Sequence, residues 1–596
     1  MQPEVYYQQR LDQLQSQLKF HLKRKSILGW LRFTIVILII GSAWLLWPQG
    51  LSVVIPITIF LAIIFTRLIF ADGKNNAFIQ HTKHLLEIND DEVKAIADEY
   101  LQFEDGSVYK PTDHFYANDL DIFGRASLFQ NLNRTTSDMG GSTLAKWLLS
   151  PATEPIIIKR QTAINELSTK TEWRQGLQAY GKEQSIKDNT KHRLDDWLKE
   201  SNGFSDFKHW QWIRYVLPVI ILTVLYLNIF NDLPNRILNI FLLTYAVIAY
   251  FISRKVSVIH QRLSKMVDEL DVLLDSIKHI ETVVFTSPLL QHLQSAYVQE
   301  RNKSSQQLKR LKKILERLDL RYNPVVFIPL DLVLMWDLQQ VLDLEKWKEN
   351  NTQNVVQWFD ALGEFEALNS LATIKFNQPT WIFPQLSDKN FYLEGNQMGH
   401  PLIPKKKRVV NDILVQDKGE LMLVTGSNMA GKSTYLRSVG INIVLAMAGA
   451  PVCANKFNLS PVQLISSMRI ADNLEESTST FYAELKKLKT IIDKVNAGEQ
   501  LFILLDEILR GTNSLDRHTG SAALIKQLIK HKAVGIIATH DVELAEMKGD
   551  FADNILNYHF DAQVNSEELY FDYLLKPGIC TSLNASILMK KIGIEL

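Results

Sequence analysis

Four apolar runs, arranged as two closely spaced pairs, constrain this chain more than any other feature. The first pair covers residues 27–47 and 51–70, and the second covers residues 215–231 and 237–253. At about 1.5 Å per residue, a helix of about 20 residues crosses roughly 30 Å of hydrocarbon. The runs therefore predict two membrane hairpins with four spans. Buried core helices of a soluble protein are the alternative, and they compete most strongly for the shorter second pair.

Basic residues flank both pairs on the side away from the turns. The turn of the first pair, residues 48–50, carries no charge, and Arg32 and Arg67 lie near the opposite ends of its two runs. Both side chains can extend to the same membrane face. The flanking basic residues are Lys19, Lys23, Arg24, Lys25, Lys74, Arg214, Arg254 and Lys255. By the positive-inside rule, the sequence predicts a multi-pass membrane protein whose N-terminus and soluble parts are cytoplasmic.

Composition excludes several classes of protein. The length of 596 residues suits several domains rather than one core. Lys plus Arg and Asp plus Glu are both 65, which argues against a globally basic nucleic-acid binder but leaves local basic faces open. The two cysteines, Cys453 and Cys580, are too few for a disulfide-stapled secreted protein or a cysteine-rich zinc module. A reducing compartment fits this composition.

Helical periodicity dominates the regions before and after the second pair of runs. Residues 76–200 predict a helical linker and a soluble core, and residues 257–384 predict long lever helices that return to this core. Ser287-Pro288 predicts a break or a kink in the lever. Two basic clusters fit either a solvated surface or contacts with nucleic-acid phosphates. These clusters are Lys309, Arg310, Lys312 and Lys313, and Lys405, Lys406, Lys407 and Arg408.

A phosphate-binding loop follows the first strand signal of the C-terminal region. From residue 420 onward, short apolar runs alternate with helices, which predicts a parallel sheet with helical crossovers. Residues 421–424 lead into the pattern G-x-x-x-x-G-K-S, in which backbone N–H groups surround phosphate oxygens and the lysine adds charge. The hydroxyl of Ser433 can bind Mg²⁺. The nucleotide-binding residues predicted here are Gly426, Ser427, Asn428, Met429, Ala430, Gly431, Lys432, Ser433 and Thr434.

Two further strand signals end in residues suited to hydrolysis. Residues 501–505 run into Asp506 and Glu507, and residues 534–539 run into His540. Asp506 can hold Mg²⁺ through water, and Glu507 can activate or orient the attacking water. His540 can sense the γ-phosphate. The sequence therefore predicts an ATPase that requires ATP and Mg²⁺ and uses Lys432, Glu507 and His540 in catalysis.

The C-terminal third resembles the MutS family of mismatch-repair ATPases. Several ordered motifs carry this resemblance, and together they are more specific than the phosphate loop alone. The matching stretches are residues 425–440, 477–491, 501–516 and 536–546. Upstream, residues 128–155 look like the core domain of the family, and Gly399-His400-Pro401 with Asn411 looks like the entry to its ATPase domain.

The resemblance implies an ABC-type ATPase that works as a homodimer and acts on DNA. Ser479 matches the serine that reaches the nucleotide of the partner subunit, and residues 573–594 match the helical dimerisation segment. Val409, Val410 and Asn411 match a segment near the adenine. The chain departs from the family in several ways. No mismatch-recognition or connector domain is recognisable before residue 113, no strand-rich insertion lies between the long helices, and the apolar runs have no counterpart in the well-known repair proteins. Ala430 and Leu509 also replace usual glycines.

The predicted fold class is multidomain, with α-helical membrane hairpins, an α-helical core and lever, and a C-terminal α/β P-loop ATPase domain of the ABC type. The expected divisions are residues 1–75, 76–200, 201–256, 257–384 and 385–596. The predicted function is that of a membrane-anchored, MutS-like ATPase acting on duplex or branched DNA, with a membrane or repair partner. The alternative is an ATP-driven membrane mechanoenzyme or scaffold without a nucleic-acid role.

Overall fold

The computed structural model gives a mostly helical chain with two β-sheets in its C-terminal part. It describes residues 2–201, 203–204, 209–231, 233–299, 302–389, 391–416, 419–427, 429–468, 480–565 and 568–580. The α-helices, in chain order, are α1 Pro3–Leu46, α2 Leu51–Ile96, α3 Leu128–Leu132, α4 Asp138–Leu149, α5 Glu154–Thr169, α6 Thr171–Glu183, α7 Asp188–Lys199, α8 His209–Phe230, α9 Asn235–Leu263, α10 Val267–Glu281, α11 Pro288–Ser295, α12 Ser304–Leu318, α13 Pro324–Leu334, α14 Trp336–Asn351, α15 Val355–Asn377, α16 Lys432–Ala448, α17 Thr480–Asn496, α18 Ser514–Lys530 and α19 Glu543–Glu546.

The strands form a short hairpin and two sheets. They are β1 Val298–Gln299, β2 Asn302–Lys303, β3 Gln385–Leu386, β4 Leu393–Met398, β5 Asn411–Val415, β6 Leu421–Gly426, β7 Lys456–Leu459, β8 Gln463–Ser467, β9 Leu501–Asp506, β10 Val534–Thr539, β11 Ile555–Asn565 and β12 Glu568–Pro577. The chain divides into two compact units. The first comprises residues 1–93, 135–140 and 171–366, and the second comprises residues 94–134, 141–170 and 367–596.

Among its described residues, the first unit contains four helices that are long and apolar enough to cross a membrane, or five spans if the bent pair of α13 and α14 is counted as one. The predicted first hairpin corresponds to α1 and α2, which are joined by the short 3-10 turn Trp47–Gln49, and the second corresponds to α8 and α9. Each apolar run is part of a longer helix. The apolar side chains of these runs face outward; Trp44 is 79 % exposed and Phe70 is 67 % exposed. Exposed side chains of this kind are unlike the buried faces of core helices in a soluble protein.

The predicted lever begins as one long helix. α9, the 3-10 turn Ser264–Met266 and α10 form a continuous helical stretch of 47 residues, Asn235–Glu281, which extends beyond the second apolar run. The later part of the lever is shorter, since α12 has 15 residues, about 22 Å at 1.5 Å per residue. Pro288 takes the first position of α11, as the Ser287-Pro288 break predicts, and the β1–β2 hairpin separates α11 from α12.

The second unit contains a six-stranded sheet with the strand order β12-β11-β6-β10-β9-β8. In this order, five neighbouring strands run parallel to one another, namely β11, β6, β10, β9 and β8. The edge strand β12 is antiparallel to β11. The predicted parallel sheet is therefore confirmed for its centre and extended to a mixed sheet at one edge. Every residue of β6, β9 and β10 is buried, as expected for strands covered by helices on both faces.

A second, four-stranded sheet has the order β3-β7-β4-β5. In the six-stranded sheet, β6, β10 and β9 are neighbours and run in the same direction, so their carboxyl ends meet at one edge. Gly426, Asp506 and Thr539 are the last residues of these strands. The sheet thus brings together three chain segments that are far apart in sequence, at the position where open α/β sheets bind ligands.

Candidate functional site

The predicted phosphate loop connects β6 to α16. Gly426 has a φ of 147° and Gly431 has a φ of 107°, and Gly431 is the residue before the first turn of α16. A Cβ on Gly426 would lie 2.7 Å from the backbone oxygen of Phe560, so only glycine fits there without a shift of the backbone. The loop therefore needs glycine at both ends for conformational and steric reasons. Ala430 has no such requirement, because it is not among the residues with positive φ.

The side chain of Lys432 turns back over the loop and is buried. Its Nζ donates to the carbonyl oxygens of Gly426, at 2.7 Å, and Ser427, at 3.0 Å, and lies 3.2 Å from Nδ1 of His540. Burial lowers the pKa of Lys432 to about 8, against the opposing effect of Glu507 and Asp506. The amine thus lies at the mouth of the loop, held by groups that a stronger anionic partner can replace.

Asp506 and Ser433 meet across the sheet edge. The Ser433 hydroxyl donates to Oδ2 of Asp506 at 2.5 Å, while Oδ1 of Asp506 is buried and has no hydrogen-bond partner within the described residues. Burial raises the pKa of Asp506, although the Ser433 hydrogen bond and Arg510 oppose the shift. A buried carboxylate oxygen without a partner is costly, and oxygen ligands are what Mg²⁺ prefers. The two residues therefore fit the pair expected to hold Mg²⁺.

Glu507 lies between a histidine and an arginine. Its Oε1 contacts Nε2 of His540, and its Oε2 lies 2.8 Å from Nε of Arg510. The hydrogen bond from His540 and the nearby charge of Arg510 lower the pKa of Glu507, so the side chain is ionised and engaged on both oxygens. Nδ1 of His540 also lies 3.0 Å from the carbonyl oxygen of Gly426. The predicted catalytic residues Lys432, Glu507 and His540 therefore form one contiguous cluster.

Arg510 is a site residue that the sequence reading treated only as part of a loop. Its Nη2 lies 3.9 Å from Oδ2 of Asp506, so one guanidinium faces both acidic residues. The signal was present in the spacing, since residues three and four positions apart are neighbours on a turn. In this arrangement Arg510 supplies positive charge beside both carboxylates.

The segment after Asp506 is held by an unusual backbone and by α17. Glu507 and Leu509 have positive φ values of 50° and 60°, which explains why a glycine is common at the second position. The N–H of Leu509 donates to Oε1 of the buried Glu484 at 2.6 Å. A Cβ on Gly511 would lie 2.7 Å from Cβ of Phe481. Glu484 and Phe481 belong to the motif at residues 477–491, which thus has a positioning role in addition to the one expected of it.

A cavity of about 460 Å³ opens beside the loop. The predicted residues that line it are Val409, Asn411, Ser427, Met429, Ala430, Gly431, Lys432, Ser433, Thr434 and Glu507, and the additional lining residues are Met398, Ile403, Lys407, Tyr435, Ser438, Phe560 and Tyr573. The lining combines apolar and aromatic side chains with the residues of the loop, and the rings of Phe560 and Tyr573 lie close to Gly431. A lining of this kind suits a nucleotide.

The three residues expected near the adenine differ in position. Val409 lines the cavity, while Val410 is 38 % exposed and is not part of its lining. The Asn411 side chain bridges β5 to β12: its Nδ2 donates to the carbonyl oxygen of Tyr573 at 3.0 Å, and its Oδ1 accepts from the N–H of Leu575 at 2.7 Å. Asn411 therefore fixes Tyr573 at the cavity wall, a residue that sequence reasoning missed.

Some predicted residues lie outside the described part of the chain. These are Asn428 in the loop, Ser479, and residues 581–594 of the expected dimerisation segment. Residues 573–577, which begin that segment, are the end of β12. The expectation of a helix is therefore wrong for these five residues, whose pairing with β11 continues the sheet instead.

Comparison with known proteins identifies the same region. Residues 422–590 match the family model of MutS domain V. The DNA mismatch repair protein MutS of Finegoldia magna is 30 % identical over 236 residues, which are 38 % of this chain and 27 % of that protein. The DNA mismatch repair protein MutS of Fusobacterium nucleatum subsp. nucleatum is 32 % identical over 200 residues, which are 32 % of this chain and 22 % of that protein.

These matches confirm the resemblance read from the motifs. The chain spans about a quarter of the length of the curated relatives it matches. The matched family model begins within β6 and includes Lys432, Asp506, Glu507 and His540. The likeness therefore coincides with the sheet edge at which these side chains meet.

Proposed function

We propose that this chain, which belongs to the MutS family through its domain V, binds ATP in the cavity beside the loop and hydrolyses it to ADP and phosphate. One observation carries the proposal. A glycine-bounded loop, its lysine and its serine lie at the same sheet edge as two consecutive carboxylates and a histidine. These are the groups that phosphoryl transfer to water requires.

The phosphates would lie between the loop and Lys432. The loop precedes α16, whose first-turn N–H groups and positive end favour an anion. Lys432 now donates to two loop carbonyls, and it would exchange these contacts for phosphate oxygens. The apolar side chains of the cavity lining, among them Val409, Tyr573 and Phe560, would supply the contacts with the base.

Ser433 and Asp506 are the residues that would hold Mg²⁺. Their direct hydrogen bond and the unpartnered Oδ1 of Asp506 support this assignment. A bound Mg²⁺ supplies positive charge to the β- and γ-phosphates during transfer. The Ser433 hydroxyl would contact the metal directly, and Asp506, which accepts a hydrogen bond from this hydroxyl, would contact it through a water molecule.

Glu507 would be the general base and His540 its partner at the γ-phosphate. Glu507 is engaged by both His540 and Arg510 in this structure, so activation requires that at least one contact is exchanged for water. Arg510 is the more exposed partner of the two, with 47 % of its side chain accessible against 35 % for His540. Movement of Arg510 away from Glu507 would therefore release the base and clear space for the metal.

The working form would be a homodimer. The family resemblance supports this step, since the position of Ser479 corresponds to a serine that completes the site of the partner subunit. An ATPase rate per chain that falls on dilution is the expected sign of such a shared site, and a rate independent of protein concentration would contradict it.

The four apolar helices would anchor the protein in a bilayer. Their length, their outward apolar side chains and the basic residues on one side support two hairpins whose turns face away from the cytoplasm. The N-terminus and the ATPase domain would then be cytoplasmic.

Duplex or branched DNA is the proposed partner of the ATPase cycle. The matched relatives are DNA mismatch repair proteins by name, and Lys309, Arg310 and Lys313 are exposed on α12. A membrane mechanoenzyme or scaffold without nucleic acid is the second candidate, and a specific observation favours it. Lys312, in the same cluster, is neutralised by Asp271 at 2.6 Å and lies 3.8 Å from Glu316, so the basic face is not continuous.

One experiment tests both candidates. The ATPase rate of the full chain in detergent is measured with Mg²⁺, with and without duplex, mismatched and branched DNA, across a salt series. Stimulation that falls steeply with salt supports a DNA-linked ATPase, because phosphate contacts release counterions. A robust rate that DNA does not change supports the membrane candidate. The absence of any Mg²⁺-dependent hydrolysis would overturn the ATPase proposal itself.

A further inference from the structure

A basic cavity lies where the first hairpin changes from polar to apolar. Its volume is about 420 Å³, and it is formed by α1 and α2 within the first unit. The basic side chains that line it are His21, Arg24, Arg67 and Lys74, and aromatic rings from Phe70 and Phe78 complete it. The predicted ATPase and its loop play no part in this cavity.

Three cations in this cavity have no counter-ion within the described chain. Arg24, Arg67 and Lys74 make no ion pair there, whereas the neighbouring Arg32 pairs with the buried Asp72 at 3.1 Å. Arg67 and Lys74 are seven residues apart and therefore lie on the same face of α2. Like charges that converge on one cavity repel each other, and a bound anion would remove this repulsion.

The wall of the cavity is held in place by the helix pair. Nδ1 of His21 lies 2.8 Å from Oδ1 of Asn75, and the Asn75 amide donates to the carbonyl oxygen of His21 at 3.0 Å. The His21 ring stacks on Phe78 with 4.2 Å between ring centroids. These contacts fix α1 against α2, so the cations are presented by a preformed pocket.

An apolar groove continues from the basic cavity along α2. It has a volume of about 650 Å³ and shares Arg67, Phe70 and Lys74 with the cavity. The rest of its lining is Ile59, Ala62, Ile63 and Thr66, from the apolar run of α2. A cationic pocket joined to an apolar groove matches a molecule with an anionic head and a hydrocarbon chain.

We propose that α1 and α2 bind one anionic phospholipid of the cytoplasmic leaflet, with its phosphate among Arg24, Arg67 and Lys74 and an acyl chain along Ile59–Phe70. Arg67 lies near the end of the apolar run at residues 51–70, and in the proposed topology this position would be at the depth of the lipid phosphates. The proposal rests on the membrane anchoring proposed above. It assigns the hairpin a defined lipid ligand, because the cytoplasmic leaflet is rich in anionic headgroups that basic pockets attract.

The test compares two variants that lose the same charge. Arg24→Gln/Arg67→Gln/Lys74→Gln removes the three cavity cations, and Lys19→Gln/Lys23→Gln/Lys25→Gln removes three exposed cations of α1 that do not line the cavity. Binding of phosphatidylglycerol and phosphatidylcholine to the full chain in detergent is measured by native mass spectrometry. The cavity variant should bind phosphatidylglycerol roughly a hundredfold more weakly, and the control variant should stay within about threefold of wild type.

Each other outcome identifies what failed. Wild-type protein that carbonate extracts from membranes would contradict the anchoring, independently of any lipid. Membrane-embedded wild type without a preference for phosphatidylglycerol over phosphatidylcholine would overturn the lipid site alone. Equal losses of binding in the two variants would mean that general surface charge attracts the lipid, and would overturn the lipid site. Displacement of the lipid by millimolar inorganic phosphate, or by a short DNA duplex, would assign the cavity to that anion instead and likewise overturn the lipid site.

Discussion

Glu366 in the first unit and Asp506 in the second are both buried carboxylates, and burial raises the pKa of each. Their surroundings differ. Glu366, on α15, accepts hydrogen bonds from the hydroxyls of Thr136 and Ser137 at 2.7 Å each, and also from the backbone N–H groups of both residues. Asp506 accepts one hydrogen bond on Oδ2, from Ser433, and its Oδ1 has no hydrogen-bond partner in the described chain.

The difference separates a structural carboxylate from a candidate functional one. Glu366 joins α15 to the segment directly before α4, which lies 230 residues earlier in the chain. Donors of the protein itself use its hydrogen-bonding capacity. A Cβ on Gly140 would clash with Oε2 of Glu366, so the protein packs closely around this side chain. Asp506 keeps an oxygen available beside a cavity. Burial alone therefore does not identify function, whereas burial with unused coordination capacity does.

The largest expected effect is on ATP turnover at the site formed by Asp506 and Glu507. Glu507→Gln should lower the ATPase rate at least about a hundredfold, because the amide cannot accept a proton from water, while ATP binding is retained. The melting temperature should change little, since glutamine has nearly the same size and can still hydrogen-bond with His540 and Arg510. Steady-state hydrolysis and nucleotide binding are measured on the same preparation. Glu546→Gln, an exposed residue at the end of α19, is the control. Wild-type turnover in Glu507→Gln would remove Glu507 from catalysis.

The second effect is on the stability that the buried Glu366 and its hydrogen bonds give the protein. Glu366→Ala leaves the donors of Thr136 and Ser137 unpaired in a buried place, which costs about 3 kcal/mol. The melting temperature of the purified chain should fall by about 5 °C or more, while the ATPase rate per folded molecule stays near wild type. Glu316→Ala, on the exposed face of α12, should have little effect. An unchanged melting temperature in Glu366→Ala would break the contrast from the structural side.

The sequence predicted the site best where the chemistry is local. The apolar run before Gly426, the loop and the first turn of α16 are consecutive, so their arrangement follows from pattern alone. The meeting of Asp506 and His540 with the loop follows from one further rule, that carboxyl ends of parallel strands share an edge. The four apolar helices were predictable for a similar reason, because length and lack of charge are properties of single segments.

Contacts between remote segments could not be predicted in this way. The hydrogen bond from Leu509 to Glu484 and the bridge from Asn411 to the backbone at Tyr573 depend on how α17 and β12 pack. The pairing of Glu366 with residues 136–137 is of the same kind. Helical periodicity indicated helices on both sides of residues 282–303, but it did not predict the β1–β2 hairpin before α12. Periodicity reports which face is buried, and only tertiary packing decides where a helix ends.

The third effect is the pH dependence of ATP affinity, which tests the charge of the buried lysine at the nucleotide site. The pKa of Lys432 is lowered to about 8 by burial, so its amine is protonated below that pH and neutral above it. ATP affinity should therefore fall as pH rises through about 8, by up to about tenfold for each further pH unit. The affinity for ATP is measured from about pH 7 to about pH 9.5, roughly one unit or more on each side of this pKa. Lys432→Arg keeps its charge throughout, and a pH dependence that persists in this variant would assign it to another group.

The smallest effect is the most direct test of the comparison. The folded-state pKa of Asp506 is raised above 3.8, so the native state binds more protons than the unfolded state between the two values, and stability falls as pH rises through the folded-state pKa. At neutral pH the ionised side chain therefore destabilises the protein without nucleotide. Asp506→Asn should raise the melting temperature of nucleotide-free, Mg²⁺-free protein by about 2 °C, equivalent to about 1 kcal/mol.

Ligand should reverse this order. With ATP and Mg²⁺, wild-type protein should gain stability and Asp506→Asn should gain much less, because only the carboxylate serves the metal. Thermal melting with and without Mg-ATP at neutral pH, and again near pH 4, measures both terms; near pH 4 the advantage of asparagine should largely vanish. Glu366→Gln is the matched substitution, and it should not stabilise the protein in either state. Both carboxylate oxygens of Glu366 accept hydrogen bonds from Thr136 and Ser137, and the glutamine amide, with one acceptor oxygen, would leave some of these donors unpaired. If Asp506→Asn instead destabilises the ligand-free protein, Asp506 is a structural carboxylate like Glu366, and the unpartnered oxygen has no role in holding a metal.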